Sequence, residues 1–218
     1  MNIITLPVGQ MQSNCYVVID EESEDALIID PGDDADFIIQ KIQDEKVKPT
    51  KIIATHGHFD HIMAATELKL AYTIPFLIHK LDQPILNRHQ QTAQYFLRIM
   101  VDPPPPVDIY IKEGDTIVLG KEKLRIIETP GHTPGGICLY RPSANEPLLF
   151  SGDTLFADGG IGRTDLKGGN YELLMQSIQE ELWLLPDNTR VYPGHGESTT
   201  IAKEKQIFSL KTVPHSLL

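Results

Sequence analysis

The 218-residue chain has only two cysteines and one tryptophan, and its 19 lysines and arginines are outnumbered by 30 aspartates and glutamates. Cys15 and Cys138 lie far apart and form no CxxC pair, which favours reduced thiols over a disulfide framework. The formal net charge of −11 argues against wide contact with a nucleic-acid backbone, because such contact needs clustered basic side chains. We therefore expect no nucleic-acid partner.

Long apolar runs and a targeting segment are missing as well. No stretch approaches the roughly 20 apolar residues that cross a bilayer. The opening residues, MNIITLPVGQ, lack the basic and apolar regions of a secretory signal. We expect a cytoplasmic protein that acts on a small molecule and does not contact a membrane. The sequence leaves its oligomeric state open.

What the chain does contain is an alternation of short apolar segments with amphipathic ones. Residues 14–20 and 26–30 predict a β-hairpin, and the apolar run at 51–55 predicts a buried strand. We predict further strands at 75–78, 116–119, 124–128, 136–140, 148–151 and 190–192, and helices at 33–45, 61–71, 83–100, 171–185 and 199–210. This order predicts two halves, each a sheet covered by helices, packed sheet against sheet as one four-layer α/β domain over residues 1–218.

Four consecutive prolines, Pro103 to Pro106, interrupt this alternation. Proline has no backbone N–H to donate and favours an extended, stiff conformation. We interpret the segment as a rigid surface loop, with a place at the rim of a site and a plain spacer as the two alternatives.

Three of the eight histidines fall within six residues, in the segment His56-Gly57-His58-Phe59-Asp60-His61. The segment directly follows the strand predicted at 51–55, which is where functional loops of α/β folds emerge. Imidazole nitrogens and carboxylate oxygens are the ligands expected for zinc or iron. The segment therefore predicts a metal site, and solvated loop histidines are the alternative.

Three later segments repeat the arrangement of a candidate ligand at a strand end. In each, glycine stands beside a histidine or an aspartate and permits a tight turn with close backbone approach. The segments are TPGHTPG with His132, SGDT with Asp153 and PGHG with His195. Each alone is a weak signal, but four such segments in order indicate one shared site.

Together, HxHxDH, TPGHTPG, SGDTLF and PGHG resemble the metallo-β-lactamase superfamily of hydrolases, over residues 55–196. The chain is most similar to the short relatives of hydroxyacylglutathione hydrolase (glyoxalase II). The resemblance implies an αββα sandwich with the metals on one edge of the two sheets. It also implies two zinc ions per chain, the first held by His56, His58 and His132, the second by Asp60, His61 and His195, with Asp153 bridging them beside a water or hydroxide.

The resemblance leads us to expect metal-dependent hydrolysis. Two divalent ions lower the pKa of a shared water from about 15.7 toward about 7, and the resulting hydroxide attacks a carbonyl whose oxyanion a metal stabilises. A thiolate leaving group needs little protonation, so a thioester such as S-acyl glutathione is the leading substrate. Asp60 and Asp153 are the expected catalytic carboxylates, with Asp60 also orienting the nucleophile.

Arg163 is our candidate for contact with an anionic substrate, because it lies on a glycine-rich stretch after Asp153. The alternative is a surface ion pair with Asp165. Glyoxalase II carries a lysine and an aromatic residue in this loop, a tyrosine after its last metal histidine, and a C-terminal helical region with basic contacts. Here the loop reads GIGRTDLKGG, HGESTT contains no tyrosine, and the chain ends soon after His195, so we expect most of the glutathione contacts to be missing.

Other functions use the same residues. Persulfide dioxygenases share the fold and a Gly-Arg-Thr-Asp stretch, and the matching triad for one iron would be His56, His132 and Asp153. A lactamase function rests on the superfamily name alone, and a ribonuclease fits poorly with the acidic charge. A non-catalytic scaffold would lack a ligand, whereas all seven are present.

Four polar residues lie outside these ligand motifs. Asp30 is either an orienting partner of a metal ligand or a plain turn residue. We interpret His79, His89 and His215 as structural or surface residues.

Overall fold

The predicted hairpin forms two adjacent strands of the first of two six-stranded sheets in this computed structural model, which describes residues 1–211. Sheet 1 contains, in spatial order, β1 (Asn2–Val8), β2 (Ser13–Ile19), β3 (Asp25–Ile29), β4 (Lys48–Ile53), β5 (Phe76–His79) and β6 (Ile109–Ile111). The first three strands are antiparallel neighbours, and β3 to β6 run parallel. The carboxyl ends of β3, β4 and β5 therefore lie at one edge of the sheet.

Sheet 2 is built from the second half of the chain. Its strands are β7 (Thr116–Leu119), β8 (Glu122–Glu128), β9 (Ile137–Arg141), β10 (Leu148–Gly152), β11 (Arg190–Pro193) and β12 (Thr199–Thr200). Neighbours from β7 to β10 are antiparallel, and β11 runs parallel to β10. Because β8, β10 and β11 point the same way, the loops that follow them lie at one edge of this sheet.

Within residues 1–211, six α-helices accompany the sheets: α1 (Ala35–Glu45), α2 (Ala65–Tyr72), α3 (Gln83–Leu86), α4 (His89–Leu97), α5 (Tyr171–Glu180) and α6 (Ile201–Lys211). Alternate side chains of the strands divide the core into layers. In β3, Leu27 packs in a cluster with Leu139 of sheet 2, whereas Ile28 packs in a cluster with Ile38 of α1. A third cluster joins the outer face of sheet 2 to α5 and α6. The predicted four-layer αββα fold is confirmed.

The structure differs from the predicted elements in several places. Strands β6 and β12 were not predicted, and β12 occupies the start of the helix predicted at 199–210. The helix predicted at 171–185 ends at Glu180 and is followed by a 3₁₀ turn. The predicted helix at 83–100 is two helices, α3 and α4, and α4 ends where Arg98 adopts a left-handed φ of 61°. The helix predicted from residue 61 begins at Ala65, after a single 3₁₀ turn at Phe59–His61. Strand β1 was not predicted, since Pro7 obscures its pattern; proline is tolerated there because β1 is an edge strand.

The proline segment forms neither helix nor strand and packs against α2. The carbonyl oxygen of Pro103 accepts a hydrogen bond of 2.7 Å from Thr66 Oγ1. Pro103 to Pro106 are not among the residues that line the large cavity described below, which favours the interpretation as a spacer. None of the helices within residues 1–211 has the length and apolarity needed to span a membrane.

Truncation of the core between the sheets tests this packing. Leu27 is fully buried there, so we expect Leu27→Ala to lower the free energy of unfolding by about 2–5 kcal/mol through lost burial and a residual cavity. Val118→Ala, at a position on β7 that is 50% exposed, should change it by less than about 0.5 kcal/mol. Urea denaturation followed by circular dichroism measures both variants, and equal losses would contradict the layer assignment.

Candidate metal centre

Four loops bring the predicted ligands to the shared edge of the sheets. The HxHxDH segment follows β4 in sheet 1, and His132, Asp153 and His195 follow β8, β10 and β11 in sheet 2. All seven residues come together, and they form two groups of three joined by Asp153. Their assignment as individual metal ligands stays a prediction.

The first group contains His56, His58 and His132, each with one nitrogen within 4.8 Å of the others. His132 Nε2 lies 2.9 Å from His58 Nδ1. His56 Nε2 is buried and has no hydrogen-bond partner among residues 1–211. Because buried polar atoms are normally satisfied, this nitrogen indicates a place where a bound ion fits.

The second group contains Asp60, His61 and His195, again within 4.8 Å. His61 Nε2 lies 3.3 Å from His195 Nε2, and Asp60 Oδ2 lies 3.5 Å from the same His195 nitrogen. In a tetrahedral zinc site with bonds of about 2.05 Å, neighbouring ligand atoms are about 3.3 Å apart. Two of the three distances are close to this value, and Asp60 Oδ2 lies 3.8 Å from His61 Nε2, so the group suits a metal ion after a small shift of the Asp60 carboxylate.

Asp153 faces both groups. Its Oδ1 lies 3.4 Å from His61 Nε2, and its Oδ2 lies 3.4 Å from His132 Nε2. Oδ1 is buried without a hydrogen-bond partner among the described residues. A carboxylate with one oxygen toward each group is suited to bridge two ions.

Buried hydrogen bonds fix the histidine rings from behind. Asp30 Oδ2 lies 3.1 Å from His61 Nδ1 and accepts a bond of 2.6 Å from Thr55 Oγ1, which in turn lies 3.0 Å from His56 Nδ1. The carbonyl oxygen of Arg163 accepts from His132 Nδ1 at 2.7 Å. Each ring thereby presents Nε2 to the centre. Of the two interpretations of Asp30, the structure supports an orienting partner.

Two further polar residues position the loops, and no sequence pattern predicted either of them. The side-chain amide of Asn14 donates to the carbonyl oxygens of Pro193 and Gly196, on both sides of His195. These bonds join the start of β2 to the last ligand loop across the two sheets. Asn14 lies 181 residues before His195, so the contact has no local sequence signature.

Asp82, between β5 and α3, is the second of these residues. Its fully buried carboxylate accepts from Gly57 N at 2.8 Å, Thr133 Oγ1 at 2.8 Å and Gly135 N at 2.6 Å. Gly57 lies between His56 and His58, and Thr133 follows His132 in the chain. One carboxylate thus joins both loops of the first group.

His79 and His89 belong to neither group of predicted ligands and do not line the cavity described below. His79 Nε2 lies 3.0 Å from Glu128 Oε1, and His89 is buried at the start of α4. These positions fit the structural interpretation, and His215 lies outside the described residues.

Burial and neighbouring charge affect the two groups differently. Burial, reinforced by nearby histidines, lowers the pKa of His58 to about 3 and that of His56 well below its usual value. These rings are neutral at pH 7, so their nitrogen lone pairs are available to a cation. Burial also disfavours charge on His61, but the carboxylates of Asp153, Asp60 and Asp30 together raise its pKa to about 10. The second group therefore places an anionic carboxylate, Asp60, beside a histidine that holds a proton, His61.

A cavity of about 700 Å³ opens onto the centre and is lined by His58, Asp60, His132, Asp153 and His195. Arg163 also lines it, and its contact with an anionic substrate stays a prediction. Its guanidinium donates two hydrogen bonds to Asp165, of 2.8 and 2.7 Å, so the predicted alternative of an ion pair is also present.

Comparison with known proteins identifies the family. Residues 8–195 match the family described as "Metallo-beta-lactamase superfamily". The chain belongs to this superfamily. It is 37% identical to the "Hydroxyacylglutathione hydrolase GloC" of Haemophilus influenzae, with 94% of this chain and 96% of the relative covered.

Solved structures give the same superfamily fold. The "BLEG-1 B3 metallo-beta-lactamase" superposes with a TM-score of 0.88 and 33% identity over 97% of this chain and 100% of that one. "TTHA1623 in a di-iron-bound form" superposes with a TM-score of 0.84 and 34% identity over 94% of this chain and 98% of that one. The fold and its cluster of histidines and aspartates are therefore those of a metallo-hydrolase capable of binding metal, with metal identity open.

Asp82→Asn tests whether this carboxylate positions the first group. An amide oxygen can accept at only one side of the former carboxylate, so its NH₂ group must face at least one backbone N–H. We expect metal affinity to fall by about 10-fold or more, measured by competition with a chromophoric chelator. The free energy of unfolding of the metal-free variant should be about 2–4 kcal/mol lower than that of the metal-free parent, because a buried N–H loses its acceptor.

Glu204→Gln is the matched control. Glu204 is also fully buried and also accepts two backbone N–H bonds and one threonine hydroxyl, from Asp158, Gly159 and Thr199. It touches none of the seven predicted ligands. We expect a similar loss of stability with unchanged metal affinity, and equal affinity of both variants would contradict the role of Asp82.

Proposed function

We propose that this protein is a binuclear metal-dependent hydrolase, and that its substrates are thioesters such as S-acyl glutathione. The observation that carries the proposal is the position of Asp153, whose two oxygens lie 3.4 Å from a nitrogen of each histidine group. One carboxylate between two complete ligand groups supports two ions that act on a single substrate bond. When bound, these ions supply hydroxide at neutral pH and stabilise negative charge on the carbonyl oxygen.

The chain's own residues hold the reacting groups in place. Asp60 is buried, and its Oδ2 lies within 3.8 Å of both His61 Nε2 and His195 Nε2. Burial opposes ionisation of Asp60, but the neighbouring histidines hold its pKa well below the usual range. An ionised Asp60 beside the cavity accepts a hydrogen bond from the attacking nucleophile and orients it toward the substrate carbonyl.

The cavity favours a leaving group that departs without a proton. Among its described lining residues the only carboxylates are Asp60 and Asp153, and both face the histidine groups. No further carboxylic acid is therefore available to protonate a leaving group. A thiol has a pKa of about 8.5 and departs readily as thiolate, whereas an alkoxide or amine anion does not. The name of the Haemophilus influenzae relative, a hydroxyacylglutathione hydrolase, supports the same substrate class.

A mononuclear-iron persulfide dioxygenase is the second candidate. The di-iron form of TTHA1623 favours it in one respect, since a related chain accepts iron. The predicted iron triad of His56, His132 and Asp153 is present, but His58 Nδ1 lies 2.9 Å from His132 Nε2 and adds a third histidine. We place hydrolysis first because this fourth donor departs from a two-histidine, one-carboxylate site.

Metal analysis combined with assays separates the two functions. We expect about two zinc ions per chain in protein purified without added metal, measured by plasma mass spectrometry. S-Acyl glutathione should be hydrolysed, with activity lost on chelation and restored by stoichiometric zinc. One iron per chain with oxygen uptake on glutathione persulfide would establish the dioxygenase instead. Full thioester turnover by metal-free protein would contradict the proposed function, and preferential cleavage of a β-lactam would contradict its substrate class.

A further inference from the structure

The wall of the cavity beside the metal centre is unusually apolar for a solvent-accessible surface. Tyr95 is 67% exposed, Leu81 57%, Met11 43% and Phe96 40%, and all four line the cavity. Single exposed hydrophobic residues are ordinary, but a contiguous group in a concave site marks a surface that binds an apolar partner.

This apolar wall is continuous with the centre. The ring of Phe96 stacks on Phe59 at 5.8 Å between centroids, and Tyr95 packs edge-on against Phe96 at 5.0 Å. Phe59 lies between His58 and Asp60 in the ligand segment. An apolar surface therefore leads outward from the ligands along α4.

A second group of apolar side chains comes from the segment after β10. Phe156, Ile161 and Leu166 also line the cavity, and the Phe156 ring packs edge-on against His195 at 6.1 Å between centroids. An apolar group that enters the cavity therefore meets apolar side chains from both halves of the chain and loses contact with water. The cavity volume of about 700 Å³ leaves room for a group much larger than a two- or three-carbon acyl chain.

Two cations at the same cavity have no ionic partner. Arg88, directly before α4, and Lys167, in the loop that also carries Leu166, both line the cavity and form no ion pair with any residue of the described chain. Arg163 differs, because Asp165 neutralises its charge with two hydrogen bonds. Arg88 and Lys167 are therefore the cavity charges available to an anionic substrate.

We infer that the cavity selects thioesters with a bulky apolar acyl group and a carboxylate on the thiol half. The acyl group lies against Tyr95 and Phe96, and the carboxylate binds Arg88 and Lys167. This inference rests on the proposed function for the reaction, but it concerns the cavity walls, which bind a ligand whether or not the ligand is cleaved.

Binding of uncleavable thioethers tests the inference without hydrolysis. The four probes are S-octyl and S-methyl derivatives of N-acetylcysteine and of its amide, so that chain length and charge vary independently on one scaffold. With metal-loaded protein, isothermal titration calorimetry should give a Kd for each S-octyl thioether at least about 30-fold lower than that of the corresponding S-methyl thioether. The carboxylate should lower Kd by about 10-fold relative to the amide, since hydrogen bonds to a charged group are stronger.

Substitutions of single residues show which side chains cause the octyl preference and which cause the carboxylate preference. Tyr95→Ser should reduce the octyl preference severalfold and leave the charge preference intact. Arg88→Gln and Lys167→Gln should each reduce the carboxylate preference and leave binding of the S-octyl amide unchanged. Met100→Ser, at a 91% exposed apolar residue outside the cavity, and Lys123→Gln, at an exposed lysine on β8, are matched controls that should change neither.

The outcomes separate this inference from the proposed function. Equal Kd values for the four thioethers, or equal effects of each variant on all four, would overturn the inference. The corresponding S-octanoyl and S-acetyl thioesters then test the reaction. Selective thioether binding without cleavage of any thioester would refute the proposed function and leave the selectivity of the cavity established.

Discussion

The buried carboxylate of Asp30 is the contact on which the rest of the centre depends. It lies at the carboxyl end of β3 and accepts hydrogen bonds from both the backbone N–H and the hydroxyl of Thr55, which follows β4. Through Thr55 it fixes His56, and through its own Oδ2 it fixes His61. One ligand of each group is thereby oriented by a single side chain. Asp30 adopts a left-handed φ of 51° to do so, a conformation whose strain these hydrogen bonds offset.

Sheet 2 contributes His132, Asp153 and His195 to the centre, and its loops approach their neighbours closely at this edge. A Cβ atom on Gly152 would lie 2.4 Å from Thr55 Oγ1, and one on Gly194 would lie 2.2 Å from Asp153 Oδ1. Only glycine allows the end of β10 to contact the loop after β4, and the loop after β11 to contact Asp153. The glycines of SGDT and PGHG are therefore packing requirements of the site as well as turn residues.

The sequence predicted the layers and all seven residues that converge, because both leave local signals. Strand and helix periodicity shows which faces are buried, and each candidate ligand stands beside glycine at a strand end. Asp82 and Asn14 leave no such signal, since each is an isolated polar residue whose partners are distant in the chain. The sequence also did not predict that residues 83–100 form two helices. The short length of α3, and the positive φ of Arg98 that ends α4, depend on tertiary packing.

The walls of the cavity are where we expect the substrate preference of this chain to be determined. Proteins named a hydroxyacylglutathione hydrolase and a B3 metallo-β-lactamase are 37% and 33% identical to this chain. Similarity to both kinds of protein does not by itself select a thioester or a lactam as the substrate. The connection from β5 to β6 contains Asp82, which fixes the ligand loops, and also Leu81, Arg88 and Phe96, which line the cavity. Exposed side chains of this connection can change without disturbing the buried carboxylate, so substrate preference can diverge while the centre stays intact.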